Sequence, residues 1–461
     1  MTEKRKIYFM GAGGIGMSAL ERYFLSKGWD VAGYDRTPSE LTSKLQAEGI
    51  EITFDESAEA IPQRFRDAAS TLVVYTPAVP EEHPAMQFFR KGGFEMMKRA
   101  KVLGLVTRQS KAICFAGTHG KTTTSSMAAH IMHCGSTGCN AFLGGILRNY
   151  GSNLLLSATS PWSVIEADEF DRSFHQLKPH IAVITATDPD HLDIYGTEEE
   201  YLEAFARFTE LIDSDGALLV HTGLKLVPRQ PAGVPVYTYG TGSGDFHAEN
   251  IRRANGTITF DFVTPETRID GISLGVPVDI NVDNAVAALA AVSLTGTLEP
   301  ASASEALSSF MGPKRRFETV MREPGPTGRV IIDDYAHHPD ELQASIRSVR
   351  ALYPDRKLTV AFQPHLYTRT RDFAPDFARV LSEADELVLL DIYPARELPI
   401  PGITSEIILN AATTPTKRLI TKGEFVDTMA STPFDILLCL GAGDMSELLP
   451  ELTARLNKSP M

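Results

Sequence analysis

The chain is poor in cysteine, tryptophan, long apolar runs and positive charge. Four cysteines (Cys114, Cys134, Cys139 and Cys439) are too few to staple 461 residues. That excludes a disulfide scaffold and predicts reduced thiols in a cytoplasmic protein. Cys134 and Cys139 lie close in sequence, but no C-x-x-C pair is present. The longest run of small apolar residues, 285–294, falls short of the ~20 residues that span a bilayer, so no membrane contact is expected. Lys4-Arg5-Lys6 ahead of Ile7-Tyr8-Phe9-Met10 superficially resembles a secretion signal, but glycines, Glu21-Arg22 and the lack of an A-x-A site argue against one. Lys plus Arg number 44 against 58 Asp plus Glu, a net charge of −14. Such a surface repels a phosphate backbone, so no nucleic acid partner is expected, although a local basic pocket for a small phosphorylated ligand is compatible with it. With 43% hydrophobic residues and no low-complexity tract, the chain is globular. Its length implies about two to four domains.

What is present is an α/β grammar. Short runs rich in Val, Ile and Leu alternate with segments of helical apolar spacing, the signature of βαβ units. A first block carries strands expected at 7–10, 30–34 and 71–75, with a helix over 14–27. A second opens on a strand at 112–116 and continues with strands at 163–167, 181–185 and 217–221. Its alternating segment 257–262 reads as an antiparallel strand with one wet face. A third, after Gly312-Pro313, holds strands at 329–333, 357–362, 386–391 and 435–440. Phe373, Phe377, Val380 and Leu381 share one face of a helix there. The stretches 240–244 and 323–328 read as loops. The expected domains are 1–106, 107–312 and 313–461.

Two glycine loops carry the chemistry. Gly11-Ala12-Gly13-Gly14-Ile15-Gly16 is a G-x-G-x-x-G between a strand and a helix, where backbone amides and a helix N-terminus meet a diphosphate. Asp35 ends the next strand, 24 residues after Gly11, where dinucleotide enzymes bind ribose. Taken alone, this loop suggests an NAD-dependent oxidoreductase. The second loop, Gly117-Thr118-His119-Gly120-Lys121-Thr122-Thr123-Thr124, follows an apolar strand. Phe115 stands where a full Walker A has its first glycine, but G-x-x-G-K-T supplies amides for phosphates, a lysine for the β/γ charge and a hydroxyl for Mg²⁺. It predicts an ATP site. Glu166-Ala167-Asp168-Glu169 and Asp188-Pro189-Asp190-His191-Leu192-Asp193 then place acids and an imidazole at two strand ends, where α/β sheets bind ligands and a metal on a triphosphate would sit.

Taken in order with the third block, these segments resemble the Mur ligases, ATP-dependent amide-forming enzymes of peptidoglycan synthesis. The third block contributes Arg315-Arg316-Phe317-Glu318, Asp333-Asp334-Tyr335-Ala336-His337-His338-Pro339, Phe362-Gln363-Pro364-His365, Tyr367-Thr368-Arg369-Thr370-Arg371 and Gly441-Ala442-Gly443-Asp444. The resemblance covers essentially the whole chain. It implies a Rossmann-like N-terminal domain, a P-loop-type central ATPase domain and a Rossmann-like C-terminal domain. Gly13-Gly14-Ile15-Gly16-Met17-Ser18 with the double histidine His337-His338 looks like the branch that joins L-alanine to UDP-N-acetylmuramate.

By that resemblance the first loop (Gly11, Gly13, Gly14, Ile15, Gly16, Met17 and Ser18) holds a UDP diphosphate, with Asp35 near the uridine end. Gly117, Thr118, His119, Gly120, Lys121, Thr122 and Thr123 hold ATP, and Thr122, Glu166 and His191 position Mg²⁺ or Mn²⁺. Asn281 and Asn284 match adenine contacts, Arg316 and Asp334 match positions that reach the nucleotide, and Tyr335, His337, His365 and Arg369 surround the incoming amino acid. The chain departs from the family at Ile280 (usually His), Ala186 (commonly Asn) and Leu366 (often Arg), which leaves Arg369 for the amino acid's carboxylate; the choice between Arg315 and Arg316 stays open. His191 or His337 is the expected proton acceptor, and a monomer or weak homodimer is expected. The third domain should close over the central one during turnover. A ligase attaching a whole tripeptide to UDP-muramate and folylpolyglutamate synthetase are related alternatives, and the N-terminal glycine loop argues against the latter.

Overall fold

The computed structural model describes residues 5–254, 256–325, 327–395 and 397–458. Lys4 lies outside them, as do the side chains of Leu192 and Asp193. Among the described residues the chain forms three sheets. It divides into two compact units, Met1–Glu249 with Asp261–Ile272 and Val282–Phe310, and Asn250–Phe260 with Ser273–Asn281 and Met311–Met461.

The first sheet is parallel, in spatial order Glu51–Thr53, Asp30–Tyr34, Lys6–Met10, Thr71–Tyr75, Glu95–Lys98. Lys6–Met10 lies at its centre and is buried after its first residue, as a strand covered on both faces must be. In the ten-stranded sheet, Lys111–Ala116 lies between Ile181–Ile184 and Trp162–Glu166, parallel to both. The order continues on one side through Ala217–His221, Val236–Thr241, Phe246–Ala254, Thr257–Val263 and Arg268–Ser273, and on the other through Asn140–Leu147 and Ser152–Leu155. Thr257–Val263 alternates between exposed or half-buried and buried residues, as its period-two pattern requires. Gly240 and Thr241, expected in a loop, stay in a strand because they pair with His247 and Ala248. The third sheet runs Glu318–Arg322, Val330–Asp334, Ile436–Leu440, Leu358–Phe362, Glu386–Leu390, Thr416–Ile420; its first pair is antiparallel and the others parallel.

Strand ends decide what reaches the site. Lys111–Ala116 runs through Phe115, which is fully buried. The departure from Walker A is therefore a core residue, and the loop proper begins at Gly117. Strand Trp162–Glu166 ends one residue earlier than expected, which leaves Glu166 at its carboxyl edge. Val330–Asp334 ends one residue later, so both aspartates remain in the strand. In the first unit Phe24, Phe142, Phe174 and Phe205 belong to one buried cluster, which joins the first sheet's helix to the larger sheet. The third sheet has its own core around Ile331, Val388, Phe425 and Leu437.

Candidate active site

The phosphate-type loop bridges the buried strand Lys111–Ala116 and the helix Lys121–Cys134. Gly117 (φ 144°) and Gly120 (φ 83°) lie in the left-handed region, and a Cβ on Gly117 would come within 2.7 Å of the Ala186 amide. Only glycine makes this turn against the neighbouring strand end. The loop is tied from that side: Thr118 donates its amide to the Ala186 carbonyl at 3.1 Å and its hydroxyl to the Asp188 carbonyl at 2.6 Å. The Thr185 hydroxyl donates to the His119 carbonyl at 2.5 Å. These ties hold the loop at the start of the helix Lys121–Cys134, whose first amides have no intrahelical acceptor, the arrangement that receives a phosphate.

The Lys121 ammonium, only 14% exposed, donates to the Gly117 carbonyl at 2.5 Å and to Glu169 Oε1 at 2.8 Å. Thr122 Oγ1 donates to Glu166 Oε1 at 2.9 Å, and the Gly144 amide donates to Glu166 Oε2 at 3.0 Å. Burial raises the carboxyls of Glu166 and Glu169 above the usual range, and the Lys121 charge opposes the shift in both. A hydroxyl beside a recessed carboxylate is a hard-oxygen pair that suits Mg²⁺ or Mn²⁺. His191, at φ 53°, has Nε2 3.6 Å from Asp190 Oδ2 and its ring edge-on to Phe170. Asn284 meets the loop directly: its Oδ1 accepts from Thr124 Oγ1 at 3.1 Å and lies 2.8 Å from where a Gly120 Cβ would be. Asn281 instead donates its side-chain amide to the Val276 carbonyl at 3.0 Å.

The N-terminal loop is built differently. Gly11 and Ala12 donate to the Tyr34 carbonyl at 2.8 and 2.9 Å, and Gly13 donates to Asp35 Oδ2 at 2.6 Å. Asp35 therefore caps the glycine turn itself. Met17 and Ser18, expected at the diphosphate, have buried side chains, and their amides are spent on the Gly14 carbonyl at 3.0 and 2.9 Å. The Ser18 hydroxyl is committed to the Ile15 carbonyl, and Asn153 reaches the same carbonyl at 2.6 Å. Arg99 carries no motif signal, yet its guanidinium lies against Gly16, with Nη2 3.6 Å from Asp168 Oδ2.

In the second unit, four residues expected around an amino acid come together. Tyr335 and His337 rings lie 5.4 Å apart, His337 and His365 6.2 Å, and Arg369 Nη1 stands 3.3 Å from His365 Nδ1. Tyr393, which the motifs did not indicate, stacks on His365 at 5.8 Å. Glu341, also missed, accepts the amides of His337 and His338 at 2.9 and 3.2 Å. Burial, chiefly, lowers the His337 imidazole and takes His365 down to about 4, so both are neutral near pH 7. Arg315 is held internally, by the Gly441 carbonyl at 2.6 Å and by Asp333 at 3.8 Å. Arg316 faces the Tyr335 ring at 5.6 Å and opposes the burial-driven rise of the Asp334 carboxyl. It is the freer of the two arginines.

Residues 6–111 match the model of the Mur ligase family catalytic domain, 115–292 the Mur ligase middle domain and 315–443 the Mur ligase glutamate ligase domain. The chain is 56% identical over 455 residues to a UDP-N-acetylmuramate–L-alanine ligase of Phocaeicola vulgatus, covering 98% of each. It is similar to the crystal structure of a UDP-N-acetylmuramate-alanine ligase from Thermotoga maritima, with TM-score 0.82 and 28% identity over 99% of this chain and 100% of that one. A murein peptide ligase from Psychrobacter arcticus shares the fold at TM-score 0.64 and 20% identity, covering 99% of this chain and all of that one. With all three domain models matched in order along its length, the chain belongs to the Mur ligase family.

Proposed function

We propose that the protein joins L-alanine to UDP-N-acetylmuramate at the expense of ATP, giving UDP-N-acetylmuramoyl-L-alanine, ADP and phosphate in peptidoglycan precursor synthesis. The observation that carries the reading is Lys121 and Thr122, at the end of a glycine loop, meeting Glu169 and Glu166 from the next strand's edge, in a chain 56% identical to a ligase of that name.

A carboxylate is a poor electrophile. In the proposed reaction its oxygen attacks the γ-phosphorus, the bond to the β–γ bridging oxygen breaks, and ADP leaves. The amine then attacks the acyl carbon and loses a proton, and phosphate departs with the former carboxylate oxygen. Charge gathers between carboxylate and γ-phosphoryl in the first step, and the Lys121 ammonium is the residue suited to neutralise it. Thr122 and Glu166, with His191, would hold Mg²⁺ or Mn²⁺, which neutralises phosphoryl charge when bound. Gly117 to Thr123 cradle the phosphates, with Asn284 and Asn281 at the base. Gly11 to Gly16, with Arg99, receive the UDP diphosphate. In the third domain we give Arg316 and Asp334 to the nucleotide and Tyr335, His337, His365 and Arg369 to the amino acid. His337 Nδ1 lies 3.0 Å from the Tyr335 carbonyl; a proton there leaves Nε2 as the base for the amine.

We place the domain limits at 1–106, 107–312 and 313–461, and the enzyme in the cytoplasm as a monomer or weak homodimer. Among the described residues no helix is long and apolar enough to cross a membrane. The test is to incubate the protein with UDP-N-acetylmuramate, ATP, Mg²⁺ and each amino acid or the tripeptide, and to weigh the product by mass spectrometry. A product heavier by one alanine residue is expected. A product formed only with the tripeptide, or none with any acceptor, overturns the assignment.

A further inference from the structure

Lys121, the residue meant for phosphate, is already occupied. Its ammonium sits between the Gly117 carbonyl and Glu169 Oε1, and Glu169 is only 2% exposed. The other carboxylate oxygen, Oε2, is buried and has no hydrogen-bond partner among the described residues. Among the described residues, Lys121 is the side chain that compensates this carboxylate. Its position is also built by its surroundings. The Tyr195 hydroxyl and the Arg172 amide both donate to the Glu169 carbonyl. Asp171 and Arg172 follow in left-handed backbone at φ 48° and 60°, which non-glycine residues adopt only where the surroundings impose it. The Arg172 guanidinium lies 4.7 Å from the Tyr195 ring and holds that turn.

We propose that Glu169 is a positioning residue that parks Lys121, so that nucleotide binding is an exchange of one anion for another at the same ammonium. To reach a phosphate, Lys121 must leave Glu169, and a buried carboxylate separated from its cation is unfavourable. Glu169 therefore works against nucleotide affinity. It keeps the lysine charge compensated until an anionic ligand takes its place and raises the cost of that exchange. Glu166 has a different task, because its two oxygens are held by Thr122 and the Gly144 amide.

The inference rests on the nucleotide reading of the loop, and one titration separates the two. ADP is titrated in EDTA by calorimetry into the wild type, Glu169→Gln and Glu169→Asp, with melting temperatures recorded for each. Glu169→Gln removes the competing charge at nearly constant shape and is expected to bind metal-free ADP about tenfold tighter. Glu169→Asp retracts the carboxylate by one methylene and should fall between. A residue that merely braced the loop would give the opposite sign, weaker binding in both variants. Equal or weaker ADP binding by a folded Glu169→Gln overturns the parking role and leaves the loop assignment standing. A wild type that binds no ADP overturns both.

Discussion

Gly144→Ala tests the carboxylate at the centre of the site without touching a charged residue. Gly144 lies in strand Asn140–Leu147, outside the left-handed region, so alanine fits its backbone. The added Cβ would stand 2.5 Å from the Glu166 carboxyl carbon. Ordinary carbon contacts begin near ~3.5 Å, so the carboxylate must retreat by about 1 Å. That retreat breaks its 3.0 Å bond from the Gly144 amide and draws it off Thr122 Oγ1, 2.9 Å away. A misplacement of ~1 Å at a reacting centre costs about 10²-fold in rate. One lost hydrogen bond to a charged acceptor costs about 1.5–3 kcal/mol of stability. Phosphate release with UDP-N-acetylmuramate, L-alanine and ATP should therefore fall about 10²-fold in kcat/KM for ATP, and the Mg²⁺ needed for half-maximal rate should rise. Melting temperature should drop by several degrees, with the fold kept. A folded variant within about threefold of wild type at unchanged Mg²⁺ demand would refute Glu166 as the metal-side carboxylate.

Lys121→Ala should abolish ATP-dependent product formation while circular dichroism stays native; normal turnover would remove the loop assignment. Arg369→Lys loses the planar fork that grips a carboxylate and should raise KM for L-alanine at least ~10-fold with KM for ATP unchanged; the reverse pattern would place Arg369 elsewhere. Arg99→Gln should raise KM for UDP-N-acetylmuramate selectively, read from the same assay with the nucleotide varied. His130 offers a pH test away from the site. It is 4% exposed, bonded to the Tyr150 hydroxyl at 2.6 Å, and burial takes it from 6.5 down to about 4. The unfolded imidazole then binds its proton first as pH falls, so the stability its neutral form contributes is whole above about pH 6.5 and lost towards pH 4. Urea midpoints of His130→Gln should accordingly vary less between those pH values than the wild type's, and equal variation would contradict the burial argument.

The two glycine loops and the strand-end acids were legible because their chemistry needs fixed spacing along a single strand–turn–helix. Contacts between distant segments were not. Arg99 reaches Gly16 and Asp168 only because strand Glu95–Lys98 pairs beside Thr71–Tyr75, and no local pattern announces that. Tyr393 joins His365 through a bridge between two loops, again without a sequence signal. Glu169 lies inside the acidic strand-end motif, but its pairing with Lys121 depends on the left-handed turn at Asp171 and Arg172, which nothing in the residue types foretells. Met17 and Ser18 show the converse case. A motif places residues along a loop, and helical periodicity then turns these two side chains inward, where Ser18 meets Asn153.

The proposed chemistry requires that an acid oxygen be transferred to phosphate. UDP-N-acetylmuramate labelled with ¹⁸O in its carboxylate, turned over with ATP, Mg²⁺ and L-alanine, should release inorganic phosphate carrying one ¹⁸O for each amide formed. Unlabelled phosphate alongside labelled amide and water would show that the carboxylate never met the γ-phosphoryl group, and the chemistry argued from Lys121, Thr122 and Glu166 would be wrong.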